Sequence, residues 1–114
     1  MTRKFVMLPE FDKCWRSMGL DDNDLRRLQE ELLLNPEKGD VMQGTGGLRK
    51  LRFAFEGRGK SGNVRVCYVD FVIYDVIYLI TAYPKNEKDN LSKAELNNIA
   101  KLIGILEAAL SEKE

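Results

Sequence analysis

Apolar residues recur along this chain at two periods, and the changes of period divide it into elements. Phe5-Val6-Met7-Leu8 is a short apolar run that reads as a first strand. Pro9-Glu10 suits the opening of a helix, because a proline at the first helical position leaves no N–H unpaired. Phe11, Cys14, Trp15 and Met18 then follow at helical spacing, and Gly19 ends the helix. Asp21 and Asp22 can cap a second helix, in which Leu25, Leu28, Leu32 and Leu33 form one stripe before Asn35-Pro36 closes it. The two helices are expected to form an antiparallel pair.

Between Glu37 and Gly47 the pattern is turn-rich, with room only for a short extended piece at Val41-Met42. From Leu48 to Phe55 the period becomes two. Leu51, Phe53 and Phe55 fall on one face, Lys50 and Arg52 on the other. Val64 to Phe71 and Val76 to Tyr83 are β-branched and aromatic, as central strands are, and are joined by a short turn near Tyr74-Asp75. Ser92-Lys93-Ala94-Glu95 has the form of a capping box. It opens a last helix whose Leu96, Ile99, Leu102, Ile103, Leu106 and Leu110 should pack on the sheet, with a frayed charged tail. The order β-α-α-β-β-β-α predicts an α+β fold: a mostly antiparallel sheet with an N-terminal helical pair and a C-terminal helix, in one domain over 1–114.

Composition narrows the classes of function. The 114 residues include no histidine and two cysteines, so a Cys/His zinc site is excluded and no metal or cofactor is expected. Cys14 and Cys67 fall in a helix and a strand. Buried thiols in a reducing cytosol are favoured over a disulfide between them. The run Phe5 to Leu8 is too short for a signal peptide and no segment has the length of a membrane span, so a cytoplasmic protein without a membrane partner is expected.

Charge then changes the picture. Lys and Arg total 18 and balance Asp and Glu at 18, yet residues 49–65 carry six cations against Glu56 alone, leaving +5 there and −5 elsewhere. Lys50 and Arg52 project from one strand face about 7 Å apart, near the spacing of successive phosphates on an extended strand. Taken as a pair they could equally be a solvated face. Arg65 lies amid Val64, Val66, Cys67 and Val69, where a guanidinium needs an anionic partner: a protein carboxylate or a ligand phosphate. The loop from Glu56 to Asn63 is glycine-rich with Arg58 and Lys60. It lacks the Walker spacing, which argues against a nucleotide triphosphatase and leaves a phosphate-closing loop or a plain hairpin connection. Tyr83, Lys85 and Lys88 leave the last strand together, an aromatic ring for an unpaired base beside amines for phosphate, with Glu87 and Asp89 as local partners of the amines. Tyr68 and Tyr78 are assigned to sheet packing.

These motifs carry a resemblance. Asn35-Pro36, Gly39-Asp40, Gly44-Thr45-Gly46-Gly47-Leu48-Arg49-Lys50-Leu51-Arg52, Gly57-Arg58-Gly59-Lys60, Arg65 and Tyr83-Pro84-Lys85-Asn86-Glu87 follow one another as in the RelE/HigB family of bacterial toxins, on its HigB-like branch. The resemblance implies a RelE-like microbial ribonuclease fold and a toxin that enters the decoding site of the 30S ribosomal subunit and cuts mRNA, inhibiting protein synthesis. It implies a cognate antitoxin with a helix-turn-helix domain, HigA-like, as the neutralising partner. By position, Lys50, Arg52, Arg65 and Lys85 match the family's catalytic cations, while Arg49, Arg58, Lys60, Tyr83 and Lys88 are the expected RNA contacts. The chain departs from the RelE branch at Asn86 and near Ser92, where that branch carries an arginine and a tyrosine. Attack by the RNA's own 2′-hydroxyl needs a proton acceptor and a clamp on the phosphorane. Lys50 is the candidate for the first and Arg65 for the second. Two other readings stay open: a non-catalytic RNA- or ribosome-binding module using the same basic face, and a docking surface for an acidic protein.

Overall fold

The computed structural model describes residues 2–55, 62–88 and 90–113. Five strands, β1 (Lys4–Met7), β2 (Asp40–Val41), β3 (Arg49–Phe55), β4 (Gly62–Phe71) and β5 (Val76–Pro84), form one sheet in the order β1-β5-β4-β3-β2. Helices α1 (Pro9–Ser17) and α2 (Asp22–Leu34) lie between β1 and β2, and α3 (Lys93–Glu112) follows β5. The sheet is mostly antiparallel, as the sequence predicts, with β1 joined to β5 in parallel.

Two elements depart from expectation. β2 is a fifth strand, two residues long and placed one residue earlier than the predicted extended piece, pairing Asp40 with Lys50 and Val41 with Arg49. The glycine turns at Gly44, Gly46 and Gly47, all at positive φ, stop it from growing. The last helix, expected to end in a frayed tail, continues through its charged end to Glu112.

Local chemistry explains the helix boundaries. Pro9 is the first residue of α1, and Gly19 at φ +76° turns the chain beyond its end. Asp21 caps α2 reciprocally: its carboxylate accepts from Asp24 N at 2.9 Å, and Asp24 accepts from Asp21 N at 2.9 Å.

Each sheet face has its own core. On one, Phe11, Trp15, Leu28 and Leu32 of α1 and α2 cover Leu51, Phe53, Val64, Val66, Tyr68, Ile77 and Leu79. On the other, Ile103 of α3 covers Leu48, Cys67, Val69, Ile80 and Tyr83. Each fully buried Leu or Phe contributes about 1.5–3 kcal/mol, so both layers matter to stability. Both cysteine thiols are free, Cys14 half-buried and Cys67 buried, and burial pushes the Cys67 thiol up to about 12. No described helix is long and apolar enough to cross a membrane.

The parallel edge is held by Arg3, whose Nε donates to Asp70 Oδ1 at 2.9 Å, with side chains 6% and 5% exposed. Asp70→Ala is expected to lower stability by about 2–3 kcal/mol, since it leaves a desolvated guanidinium beside β4. Urea denaturation measures this, and a loss under about 0.5 kcal/mol would place the pair among inert surface bridges.

Candidate nucleic-acid site

Alternation along β3 sends Leu51 and Phe53 to the α1/α2 core and leaves Lys50 and Arg52 on the α3 side. Across the sheet, Arg52 is the direct partner of Arg65 on β4, and Arg65 is the direct partner of Tyr83 on β5. Like charges directly opposite one another destabilise a sheet, so the Arg52–Arg65 pair is not there for the sheet's sake.

A break in alternation brings Tyr83 to that row. Tyr68 pairs with Leu79, but Cys67 pairs with Thr81, so β5 carries one residue more than β4 at this bulge. Tyr78 and Tyr83, five residues apart, thereby pack in the same α3-side cluster, and Arg65 gains an aromatic neighbour.

Asp40, Lys50, Arg52, Arg65, Lys85 and Asn90 line a cleft of about 380 Å³ between β2, the β3–β4 face and the turn after β5. Arg65 forms its floor. The residue is 4% exposed, and its Nη1 is buried with no hydrogen-bond partner among the described residues. A guanidinium fork is costly to desolvate, and leaving a donor of it unpaired is costlier still. Lys50 lies above Cys67 and donates from Nζ to Asn90 Oδ1 at 2.7 Å. Among the described residues, no ion pair engages Arg52 or Lys85. Phosphate oxygens are the group such a cleft can accept, and its volume admits a phosphate with an attached sugar.

The four cations expected to be catalytic, Lys50, Arg52, Arg65 and Lys85, are therefore brought together. Three of the expected RNA contacts are placed elsewhere. Arg49 pairs with Tyr68, on the face opposite Lys50, and its Nη1 donates to the carbonyls of Gly39 at 2.7 Å and Glu37 at 3.1 Å. The alternation that aims Lys50 and Arg52 at the cleft necessarily turns Arg49 away, where it ties down the loop before β2. Tyr83 is 4% exposed, packed in the core with the Lys88 ammonium 5.1 Å from its ring centre, so its ring is covered and not offered to a base. Lys88 is held by Glu95 at 2.8 Å, because the α3 capping box points Glu95 back at the turn, while Asp89, expected as a local partner, lies outside the described residues. Arg58 and Lys60 lie outside the described residues. Asp40 and Asn90 line the cleft although neither was expected in the site from sequence. Their turn-forming composition masked a role decided by β2 pairing and by the start of α3.

Among the described residues no group of three His, Cys, Asp or Glu side chains is arranged to hold a metal ion. A family model described as the RelE toxin of the RelE/RelB toxin–antitoxin system matches residues 4–114. Among solved structures, the chain is similar to a free-state E. coli toxin RelE carrying two arginine-to-alanine substitutions. Identity is 18% over 88% of this chain and 95% of that one, with a TM-score of 0.54, a likeness of fold. It is also similar to a chain of the archaeal RelE–RelB complex from Pyrococcus horikoshii OT3, at 26% identity over 77% of this chain and 100% of that one, with a TM-score of 0.48.

Proposed function

Because the chain belongs to the RelE toxin family of toxin–antitoxin systems, whose members are translation-inhibiting toxins and in general ribonucleases, we propose that it is a ribosome-dependent endoribonuclease that cuts mRNA during translation. The observation that carries this reading is the buried Nη1 of Arg65, without a partner among the described residues, at the floor of a cleft with three further cations. A donor left desolvated without a partner is an expense of the free state, offset when an oxyanion arrives.

In the proposed reaction the 2′-oxygen of the nucleotide before the cut attacks the adjacent phosphorus. The bond from phosphorus to the 5′-oxygen of the next nucleotide breaks, leaving a 2′,3′-cyclic phosphate and a 5′-hydroxyl. Lys50 takes the 2′-hydroxyl proton, and Lys85 is the donor available to the leaving 5′-oxygen. Arg65 and Arg52, facing each other across β3 and β4, clamp the charge that grows on the non-bridging oxygens. The ribosome supplies what this small cleft lacks, a strand of mRNA held with its backbone bent for in-line attack.

A cognate antitoxin is the neutralising partner that family membership implies. We propose that the system is of the HigB-like branch, with the antitoxin carrying a helix-turn-helix domain, and that the toxin acts in the cytoplasm. The run Gly44-Thr45-Gly46-Gly47-Leu48-Arg49-Lys50 supports that branch.

Purified protein added to translating ribosomes is expected to produce discrete mRNA cuts by primer extension, and its induction in cells to arrest growth until the neighbouring reading frame is co-expressed. Intact mRNA on arrested ribosomes, with the protein bound, would instead identify a non-catalytic ribosome-binding module.

A further inference from the structure

Lys50 does not project freely into the cleft. Its ammonium reaches across to a residue 40 positions away, Asn90, which accepts through Oδ1 at 2.7 Å. Asn90 is itself exposed, yet its backbone is spanned by two fixed points. On one side Lys88 is tied to Glu95 at 2.8 Å and lies over the Tyr83 ring. On the other, Leu91 is buried and Ser92 caps α3, with Glu95 N donating to its Oγ at 3.1 Å and its own N donating to Glu95 Oε1 at 2.9 Å. Anchored residues on each side limit the backbone freedom that Asn90 loses in presenting its side chain.

The chemistry of that side chain matters as much as its place. An amide oxygen accepts from a lysine whether the amine is charged or neutral. A carboxylate there would hold the charged form by ion pairing, and it would repel an incoming phosphate. An uncharged acceptor is the one that can orient a lysine without opposing substrate binding.

We propose that Asn90 is the positioning residue of the site, holding Lys50 Nζ at the cleft wall where it meets the attacking 2′-hydroxyl. The proposal deepens the reading of this protein as a ribosome-dependent endoribonuclease and rests on it. Asn90 acts through Lys50, so removing it loses what Lys50 contributes and nothing more.

The test is a double-mutant cycle with the purified full chain on translating ribosomes, reading kcat and KM for mRNA cleavage by the wild type, Asn90→Ala, Lys50→Ala, the double variant and Asn90→Asp. Asn90→Ala is expected to lower kcat about tenfold with KM little changed, since a misplaced catalytic group slows chemistry without weakening binding. In the Lys50→Ala background the same substitution is expected to change nothing. Asn90→Asp keeps the acceptor and places a carboxylate beside the phosphate path, so its expected effect is a raised KM. Wild-type kcat in Asn90→Ala, or the same tenfold loss with and without Lys50, would overturn the proposal. Should the wild type itself leave ribosome-bound mRNA intact, the reading of the activity falls and this proposal falls with it. Additive effects in a wild type that cleaves would sink the proposal alone.

Discussion

Arg65→Met is expected to lower cleavage of ribosome-bound mRNA by about 10³-fold or more while leaving the protein as stable as the wild type, or more so. The two halves of this expectation have one cause. Arg65 is 4% exposed, faces Arg52 directly, and buries Nη1 without a partner among the described residues. Its charge therefore costs free energy in the isolated toxin, and methionine, with a similar apolar stem, relieves both the desolvation and the repulsion. A gain of about 1 kcal/mol is the expected size, in line with apolar replacement of buried charges. A residue whose removal stabilises the fold and destroys the activity is one the fold keeps for its ligand. Urea unfolding and primer extension on the same preparation check the two halves. If Arg65→Met unfolds more easily by about 2 kcal/mol or more, the guanidinium is a structural element, and the observation that carries the proposed function is lost. Arg65→Lys separates charge from shape: it keeps the cation but not the fork that grips two oxygens, so activity between that of the wild type and that of Arg65→Met is expected.

The second large effect concerns the loop that sets one wall of the cleft. Tyr68→Phe is expected to cost about 2–4 kcal/mol of stability, far more than removal of one exposed hydroxyl. The phenol is fully buried; its Oη donates to the Pro36 carbonyl at 2.7 Å and accepts from Gly39 N at 3.0 Å. Phenylalanine keeps the packing but strands both backbone groups away from water. Gly39 is where the approach is closest, since a Cβ there would lie 2.9 Å from the Tyr68 ring and 3.0 Å from the Lys50 carbonyl. The same contact thus fixes the residue that leads into β2, and with it Asp40 beside Lys50. Loss of protection of the Gly39 amide in hydrogen exchange, together with a lowered urea midpoint, is the expected signature. An unchanged midpoint would mean that water reaches these groups and that the tyrosine does not hold the loop.

Elements and their chemistry were largely legible before the fold was seen. The helix starts at Pro9 and Ser92, an aspartate cap at Asp21 or Asp22, and the split of β3 into Leu51 and Phe53 on one face and Lys50 and Arg52 on the other all follow from local sequence. These features depend on residues within about one turn or one strand of each other, where backbone geometry alone fixes which side chains meet. The cationic character of residues 49–65 was legible for the same reason, as a count along the chain.

Other features depended on how distant segments register, and the sequence was silent or misleading about them. Charge alone put Arg49 with its neighbours Lys50 and Arg52, but a period of two places it on the opposite face, bound to Glu37 and Gly39 carbonyls. Tyr83 looked like a platform for a base because cations stand near it in sequence. One extra residue at the bulge in β5 rotates it into the α3 core, and an alternation count cannot foresee a bulge whose cause is packing on both faces. Lys88 finds a partner in the next helix, Glu95, that its local sequence does not suggest. Local sequence determined the longer elements, their faces and the cluster of basic residues. It took the closed fold to bury Arg65 with a donor unpaired among the described residues, to bring Lys85 and Asn90 over the cleft, and to hold Lys50 by an amide 40 residues away. Local propensity acts over a few bonds, whereas desolvation and hydrogen bonding between remote residues exist only once the chain has closed upon itself.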